Sequence, residues 1–180
     1  MKITQKTSLK QLAVIVCDHL NKEGIEAVLS GGAVVTIYSK ALYQSYDLDF
    51  ITFADRKKIQ KAMEKLGFKK EKGRYYTHPG TKYFVEFPPG PLAIGEEIVK
   101  SWSTMKTKSG KLFLLTPTQC IMDRLCAFYH WNDYQSLEQA ILVAKKHKVT
   151  MSKIKKWSLK EEMNEKFEIF RKKLGFQLKR

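Results

Sequence analysis

Two aspartates and a glutamate have the spacing and setting expected of a metal-binding set. Asp47 and Asp49 open an alternating run, Asp47–Phe53, that predicts a β-strand. Residues two apart in a strand point to the same side, so the two carboxylates repel each other unless a cation lies between them. Glu86 lies in a second strand-like run, Lys82–Phe87, where an apolar pattern gives it no packing role. Carboxylate oxygens suit Mg²⁺ or Mn²⁺, so the three residues predict a metal centre that also takes substrate phosphates.

A glycine pair precedes the aspartates and predicts a phosphate-binding turn. Ser30, Gly31 and Gly32 follow the strand-length apolar run Ile25–Leu29 and precede apolar residues at helical spacing over Ala33–Leu42. Glycines at such a turn let a phosphate approach the backbone, and the first N–H groups of the helix can bind it. Neither the G-x-G-x-x-G nor the P-loop pattern occurs, so neither a dinucleotide-binding domain nor a P-loop NTPase is indicated.

These residues, in this order, resemble the signature of the nucleotidyltransferase superfamily. Ser30-Gly31-Gly32, then Ser45-Tyr46-Asp47-Leu48-Asp49-Phe50, then Glu86 carry the resemblance, within Val28 to Phe87. The chain looks most like the small AbiEii-like nucleotidyltransferases of bacterial toxin–antitoxin and abortive-infection systems, in which Gly-Gly often replaces the superfamily's Gly-Ser. The resemblance implies that Asp47, Asp49 and Glu86 are catalytic, that an NTP such as ATP is the donor, and that an antitoxin protein is a partner.

Further along the chain, two clusters and one hairpin carry groups of possible use to such a site. Asp123-Arg124 interrupts an apolar helical pattern, and Arg124 is expected either to hold a triphosphate or pyrophosphate or to form a structural buried pair with Asp123. The run Tyr129–Asp133 is a polar and aromatic junction that is more often a packing device, although Tyr129 or Trp131 could stack on a base. Four cations of a predicted hairpin, usually mere solvated charges, would be placed to touch an RNA backbone: Lys69, Lys70, Lys72 and Arg74.

The wider pattern predicts an α/β fold, with a small mixed sheet flanked by helices and a helical C-terminal region. Residues 1–115 are assigned to the nucleotidyltransferase-like core and residues 116–180 to the helical region, which begins with Thr116 as N-cap and Pro117 in the first turn. A hairpin is expected from Glu96–Thr107 and Lys111–Leu115. The last helix is expected over Ser158–Gly175, with Ser158 and Glu161 as a capping box.

The bulk composition favours a polyanionic partner. The 180 residues contain 33 Lys and Arg against 18 Asp and Glu, a net charge of +15. No apolar run approaches the ~20 residues of a membrane span, and the N-terminus lacks the apolar block of a signal peptide. The three cysteines have no metal-ligand spacing and are expected to be reduced, so we predict a cytoplasmic protein with no membrane partner.

The leading hypothesis is a Mg²⁺-dependent nucleotidyltransferase that moves NMP from an NTP to an acceptor hydroxyl, with RNA, particularly a tRNA end, as the favoured acceptor. A second hypothesis is a module on the same fold that binds nucleic acid or a protein partner without chemistry. The intact set of three carboxylates argues against it. A third keeps the chemistry but moves NMP to a protein or to a small molecule such as an aminoglycoside, for which the positive charge is less suited.

Overall fold

The computed structural model describes residues 2–178, so Met1 and residues 179 and 180 lie outside it. Within this range the helices are α1 (Leu9–Lys22), α2 (Gly31–Tyr38), α3 (Arg56–Lys65), α4 (Pro117–Trp131), α5 (Tyr134–Lys146), α6 (Met151–Lys160) and α7 (Asn164–Leu178). The strands are β1 (Val28–Ser30), β2 (Asp47–Ile51), β3 (Lys69–Lys70), β4 (Tyr75–Thr77), β5 (Phe84–Glu86), β6 (Ala93–Ile94), β7 (Glu97–Ile98), β8 (Ser103–Thr107) and β9 (Gly110–Leu114).

Seven strands form one mixed sheet in the order β3-β4-β5-β2-β1-β9-β8, and β6 pairs with β7 in a small ribbon. The pairs β2–β5 and β1–β9 are parallel, whereas the other pairs of the large sheet are antiparallel. Leu48 and Phe50 of β2 are fully buried, while the alternate residues Asp47, Asp49 and Ile51 are partly exposed. The strand therefore turns one face to the core and the other to the carboxylate side, as the alternation predicts.

The helices pack in two groups around this sheet. The first group consists of α1, α2 and α3: α1 contacts the other two, α1 lies on β9 and α2 lies on β2. From residue 117 onward every described element is a helix, and α4 and α5 pack against α2. The predicted mixed α/β architecture is confirmed, whereas the division into two domains at residue 116 stays a prediction.

The start of the helical region also follows the prediction. The Thr116 hydroxyl accepts a hydrogen bond from the Gln119 N–H at 3.2 Å, and the Gln119 side chain accepts one from the Thr116 N–H at 2.8 Å. This reciprocal capping satisfies N–H groups that the first turn of α4 leaves unpaired.

The helix after the glycine pair is shorter than the predicted Ala33–Leu42. It ends at Tyr38, because Lys40 and Ala41 adopt left-handed backbone conformations with φ of 56° and 62°. Leu42 consequently lies on the surface, 65% exposed, and helical spacing placed it wrongly on the apolar face.

The boundary between the last two helices is also different from the prediction. Ser158 is not an N-cap but a buried residue of α6, whose hydroxyl donates to the Ile154 carbonyl at 2.9 Å. The chain reverses at Glu162, which has φ of 60°, and α7 begins at Asn164. A capping-box pattern at Ser158 and Glu161 was misleading because the serine hydroxyl is used inside the helix and by its neighbour Tyr129.

The predicted strand over Glu96–Thr107 is divided between two sheets. Its first part, β7, pairs with β6, and the Val99 N–H donates to the Leu92 carbonyl at 2.9 Å. Only β8 joins β9 to form the expected hairpin in the large sheet.

Two bulk predictions can be compared with the described residues. No helix within residues 2–178 is long and apolar enough to cross a membrane. Cys17 and Cys120 are buried, Cys126 is partly buried, and all three are free thiols, as expected.

Candidate active site

The sheet register places the predicted carboxylates side by side. Asp49 of β2 lies opposite Ser30 of β1 on one side and opposite Glu86 of β5 on the other. Asp47 lies two residues before Asp49 on the same strand and faces the same way. One row across three strands therefore carries Ser30, Asp49 and Glu86, with Asp47 directly beside it.

The electrostatics of Asp49 reflect this crowding. Burial raises the pKa of its carboxyl to about 7, with further upward contributions from Asp47 and Glu86 and an opposing one from Arg124. Like charges held close together disfavour a second ionisation unless a cation compensates them. The site therefore holds more negative charge than the surrounding protein neutralises.

Gly31 brings the start of α2 against this carboxylate. Its φ is 69°, a conformation that glycine adopts without strain, and a Cβ at this position would lie 2.5 Å from Asp49 Oδ2. Ser30 does not cap the helix with its side chain; its hydroxyl donates to the Asp49 carbonyl at 3.3 Å. The predicted phosphate-binding turn is therefore directly adjacent to the carboxylates, with backbone N–H groups at the start of α2.

A serine that sequence reasoning left without a role positions Asp47. The Ser45 hydroxyl donates a hydrogen bond to Asp47 Oδ1, and the Ser45 N–H donates to the Thr36 hydroxyl of α2 at 2.9 Å. Ser45 thus ties the first aspartate to the helix that follows the glycine pair. The available signal was its position two residues before Asp47 in the sequence.

Glu86 is held by a cation of the neighbouring hairpin. Its carboxylate Oε2 lies 3.0 Å from Nε of Arg74, in the turn between β3 and β4. The Glu86 side chain is buried, whereas that of Arg74 is 55% exposed. The sequence placed Arg74 among cations near the site, but the pairing with Glu86 depends on β4 lying beside β5 in the sheet.

The donor set suits a hard divalent cation, although the side chains are not closed around one point. Within residues 2–178, no group of three or more His, Cys, Asp and Glu side chains is arranged to hold a metal ion. Asp47 and Asp49 face the same space, and the third carboxylate, Glu86, is turned to Arg74. Two carboxylates with unbalanced charge, and a third that Arg74 could release, fit the oxygen ligands that Mg²⁺ prefers.

Arg124 reaches the site from the helical region. It lies on α4, and its positive charge acts to lower the pKa of Asp49. Its Nε and Nη2 also hold Asp123 Oδ2 at 3.0 and 2.6 Å, so the guanidinium is already oriented by its neighbour. The structure therefore brings Arg124 to the carboxylates, where a phosphate could compete for it.

The aromatic junction separates into structural and exposed parts. Tyr129 is buried, its ring stacks on Trp157 with centroids 5.4 Å apart, and its hydroxyl lies 2.8 Å from Ser158 Oγ. The suggestion that Tyr129 stacks on a base is therefore wrong. Trp131 is 75% exposed, and Asp133 caps α5 by accepting from the Ser136 N–H at 3.1 Å.

Comparison with known proteins places the fold. No protein-family model matches the sequence, and no curated protein sequence matches it significantly. The structure is similar to an antigenic nucleotidyltransferase-like protein from Paracoccidioides brasiliensis, with a TM-score of 0.58, 17% identity, and coverage of 78% of this chain and 77% of that one. It is also similar to ANT(2″)-Ia in complex with adenylyl-2″-tobramycin, with a TM-score of 0.50, 12% identity, and coverage of 92% and 97%. The chain therefore has a nucleotidyltransferase-like fold.

Proposed function

We propose that this protein is a metal-dependent nucleotidyltransferase that transfers NMP from an NTP to an acceptor hydroxyl. The observation that carries the proposal is the row formed by Ser30, Asp49 and Glu86, with Asp47 beside it and the Gly31 backbone against Asp49. The nucleotidyltransferase-like fold of the neighbours supports this assignment.

In this proposal each group of the site has a separate role. Asp47 and Asp49 would hold Mg²⁺ or Mn²⁺, which when bound offsets negative charge on the triphosphate and on departing pyrophosphate. The N–H groups of Gly31 and Gly32 bind phosphate oxygens, and Arg124 adds a cation from α4. Glu86, once free of Arg74, accepts the proton of the acceptor hydroxyl. The hydroxyl oxygen bonds to the α-phosphorus as the bond from that phosphorus to the pyrophosphate oxygen breaks.

RNA, particularly a tRNA end, is the acceptor that the charge supports. The net charge of +15 attracts polyanions and repels cationic compounds such as aminoglycosides. The resemblance to AbiEii-like proteins extends this proposal to a cytoplasmic toxin that modifies RNA and is restrained by an antitoxin. Toxicity would follow from the acceptor chosen, not from the fold.

The test is transfer of label from each α-labelled NTP, with Mg²⁺ and total cellular RNA, by wild type and by Asp49→Asn. We expect wild type to label an RNA band and Asp49→Asn to lose roughly a hundredfold or more in rate, since its amide cannot replace the anionic ligand. Glu165→Gln, which changes an exposed carboxylate on α7, is the matched control and should behave as wild type.

The same assay decides between acceptors. Aminoglycosides and cellular protein replace RNA in parallel reactions, and label in either fraction alone would redirect the proposal to that acceptor. Wild type that neither transfers label nor binds NTP in a Mg²⁺-dependent way would refute the enzyme and favour a binding module on the same fold.

A further inference from the structure

A cavity of about 460 Å³ lies at the ends of β2 and β5, and one of its lining residues, Arg74, also contacts Glu86. Its walls come from three places: the β3–β4 hairpin, the first turn of α3, and the segments that follow β2 and β5. Cavities of roughly 300–1,000 Å³ are the size that holds small ligands or single building blocks of larger ones. We call it the hairpin cavity; the residues used below are Phe53, Arg56, Lys70, Arg74 and Tyr76.

The charged side chains that line the hairpin cavity are all cationic. Arg56 comes from α3, Lys70 from β3 and Arg74 from the hairpin turn, and no Asp or Glu is among the lining residues. Arg56 and Lys70 form no ion pair with any other residue in the range 2–178. Three cations that converge from separate elements on one concavity favour an anionic ligand.

The same cavity carries an aromatic ring that the fold does not use. Phe53 is 85% exposed, although it is a large apolar side chain just after β2, a strand with one buried face. The other rings of the cavity are packed in place: Tyr76 meets Phe87 edge-on, with centroids 5.5 Å apart. Gly90 lies next to Phe53, since a Cβ there would be 3.6 Å from Phe53 Cε1. An exposed ring among cations favours a ligand with both a flat base and a phosphate.

We propose that the hairpin cavity is the acceptor subsite, in which one nucleotide of a single-stranded RNA is bound. Its phosphate lies on Arg56, Lys70 and Arg74, and its base stacks on Phe53. The proposal rests on the proposed function for the identity of the ligand as acceptor, but its binding chemistry depends only on these residues.

Arg74 connects this subsite to the chemistry. It lines the cavity and also holds Glu86 Oε2 at 3.0 Å. A phosphate on Arg74 competes with that carboxylate, because both anions need the same guanidinium donors. An acceptor strand in the cavity is therefore one side chain away from the carboxylate row, and its phosphate weakens the ion pair between Arg74 and Glu86.

The experiment measures fluorescence anisotropy of a short single-stranded RNA labelled at its 5′ end, in EDTA so that no transfer occurs. We expect Phe53→Ala to weaken binding roughly 5- to 100-fold, as loss of one base-stacking ring does. Lys70→Gln should weaken binding and lower the slope of log affinity against log salt by about 0.7, the value for one phosphate contact on a single strand. Because both side chains are exposed, the folded state should persist, as circular dichroism would verify.

Lys69→Gln is the matched control. Lys69 is adjacent to Lys70 on β3 and points to the opposite side of the strand. Lys69→Gln therefore removes the same charge as Lys70→Gln, but outside the cavity. Equal losses from Lys69→Gln and Lys70→Gln would overturn the subsite and leave a diffuse basic surface. Loss of NTP binding instead of RNA binding would also overturn it.

This binding assay is separable from the transferase itself. Asp49→Asn should lose transfer yet keep RNA affinity in EDTA. If wild type shows no transfer to RNA while Phe53→Ala and Lys70→Gln weaken binding selectively, the cavity assignment stands and the proposed transfer to RNA alone fails.

Discussion

At the scale of single residues, the site is defined by negative charge that the protein does not balance. Asp49 lies between Asp47 and Glu86, and burial with these neighbours raises its pKa to about 7. The opposing charge of Arg124 is shared with Asp123, to which it donates two hydrogen bonds. Without a bound cation, ionisation of Asp49 beside the other two carboxylates therefore lowers the free energy of unfolding.

The pH dependence of stability tests this account. The carboxyl has its ordinary pKa of 3.8 when unfolded and about 7 when folded, so the folded protein binds the proton more tightly. The free energy of unfolding should thus fall as pH rises from about 4 to 7. Asp49→Asn removes this loss and should raise the free energy of unfolding at pH 8 by about 1–2 kcal/mol, less than the full shift because the site is partly solvated.

Urea denaturation in EDTA at pH 4 and pH 8 measures the difference between Asp49→Asn and wild type. The variant should gain stability at pH 8 and change little at pH 4. Glu26→Gln, at an exposed carboxylate, should give no such pH-dependent gain. A destabilised Asp49→Asn at pH 8 would mean that the ionised carboxylate is satisfied by the protein itself.

At the scale of elements, the start of α2 determines how close a backbone comes to the carboxylates. Gly31→Ala adds a Cβ 2.5 Å from Asp49 Oδ2 and forces a left-handed φ on alanine, at a cost of about 1–2 kcal/mol. Because it also displaces Asp49, transfer should fall roughly tenfold or more. Gly32→Ala lacks the backbone strain, and its Cβ would be 3.0 Å from Ser45 Oγ, so a smaller loss of stability is expected.

Thermal unfolding and the transfer assay on both variants give the comparison. Gly32→Ala is the matched control for the added methyl group. A Gly32→Ala variant that is destabilised more than Gly31→Ala would contradict the role given to the backbone conformation at Gly31.

The elements around the site were largely predictable because their signals are local. The glycine turn, the alternation after Asp47, and the Thr116 cap each depend on residues within one segment. Helical spacing failed at Leu42, where the backbone is left-handed at Lys40 and Ala41. The capping-box pattern failed at Ser158, which lies inside α6, before the left-handed residue Glu162. Spacing alone gives no sign of such conformations in residues other than glycine.

At the scale of the whole molecule, the missing information was which distant segments meet. The parallel pairing of β2 with β5 puts Glu86 beside Asp49, and the packing of α4 on α2 brings Arg124 to the same place. Residue types alone suggested these partners, but only the topology sets their order in the sheet. Phe53 went unnoticed because its exposure beside a buried strand becomes visible only in the folded protein.

The contact between Arg74 and Glu86 has a consequence for how the donor nucleotide is protected. Water is smaller than any acceptor and far more abundant, so an active base would split NTP without a recipient. While Arg74 holds Glu86, that carboxylate is not free to accept a proton from a water molecule near the α-phosphorus. Arg74→Ala should therefore raise acceptor-independent release of NMP several-fold, measured with labelled NTP in the absence of RNA.

Lys72→Ala changes a residue in the same turn but outside the hairpin cavity, and it should leave the acceptor-independent release of NMP at its wild-type level. Unchanged hydrolysis in Arg74→Ala would show that the ion pair does not restrain the base. If the expected rise occurs, the exposed side chain of Arg74 limits NTP hydrolysis when no acceptor RNA is bound.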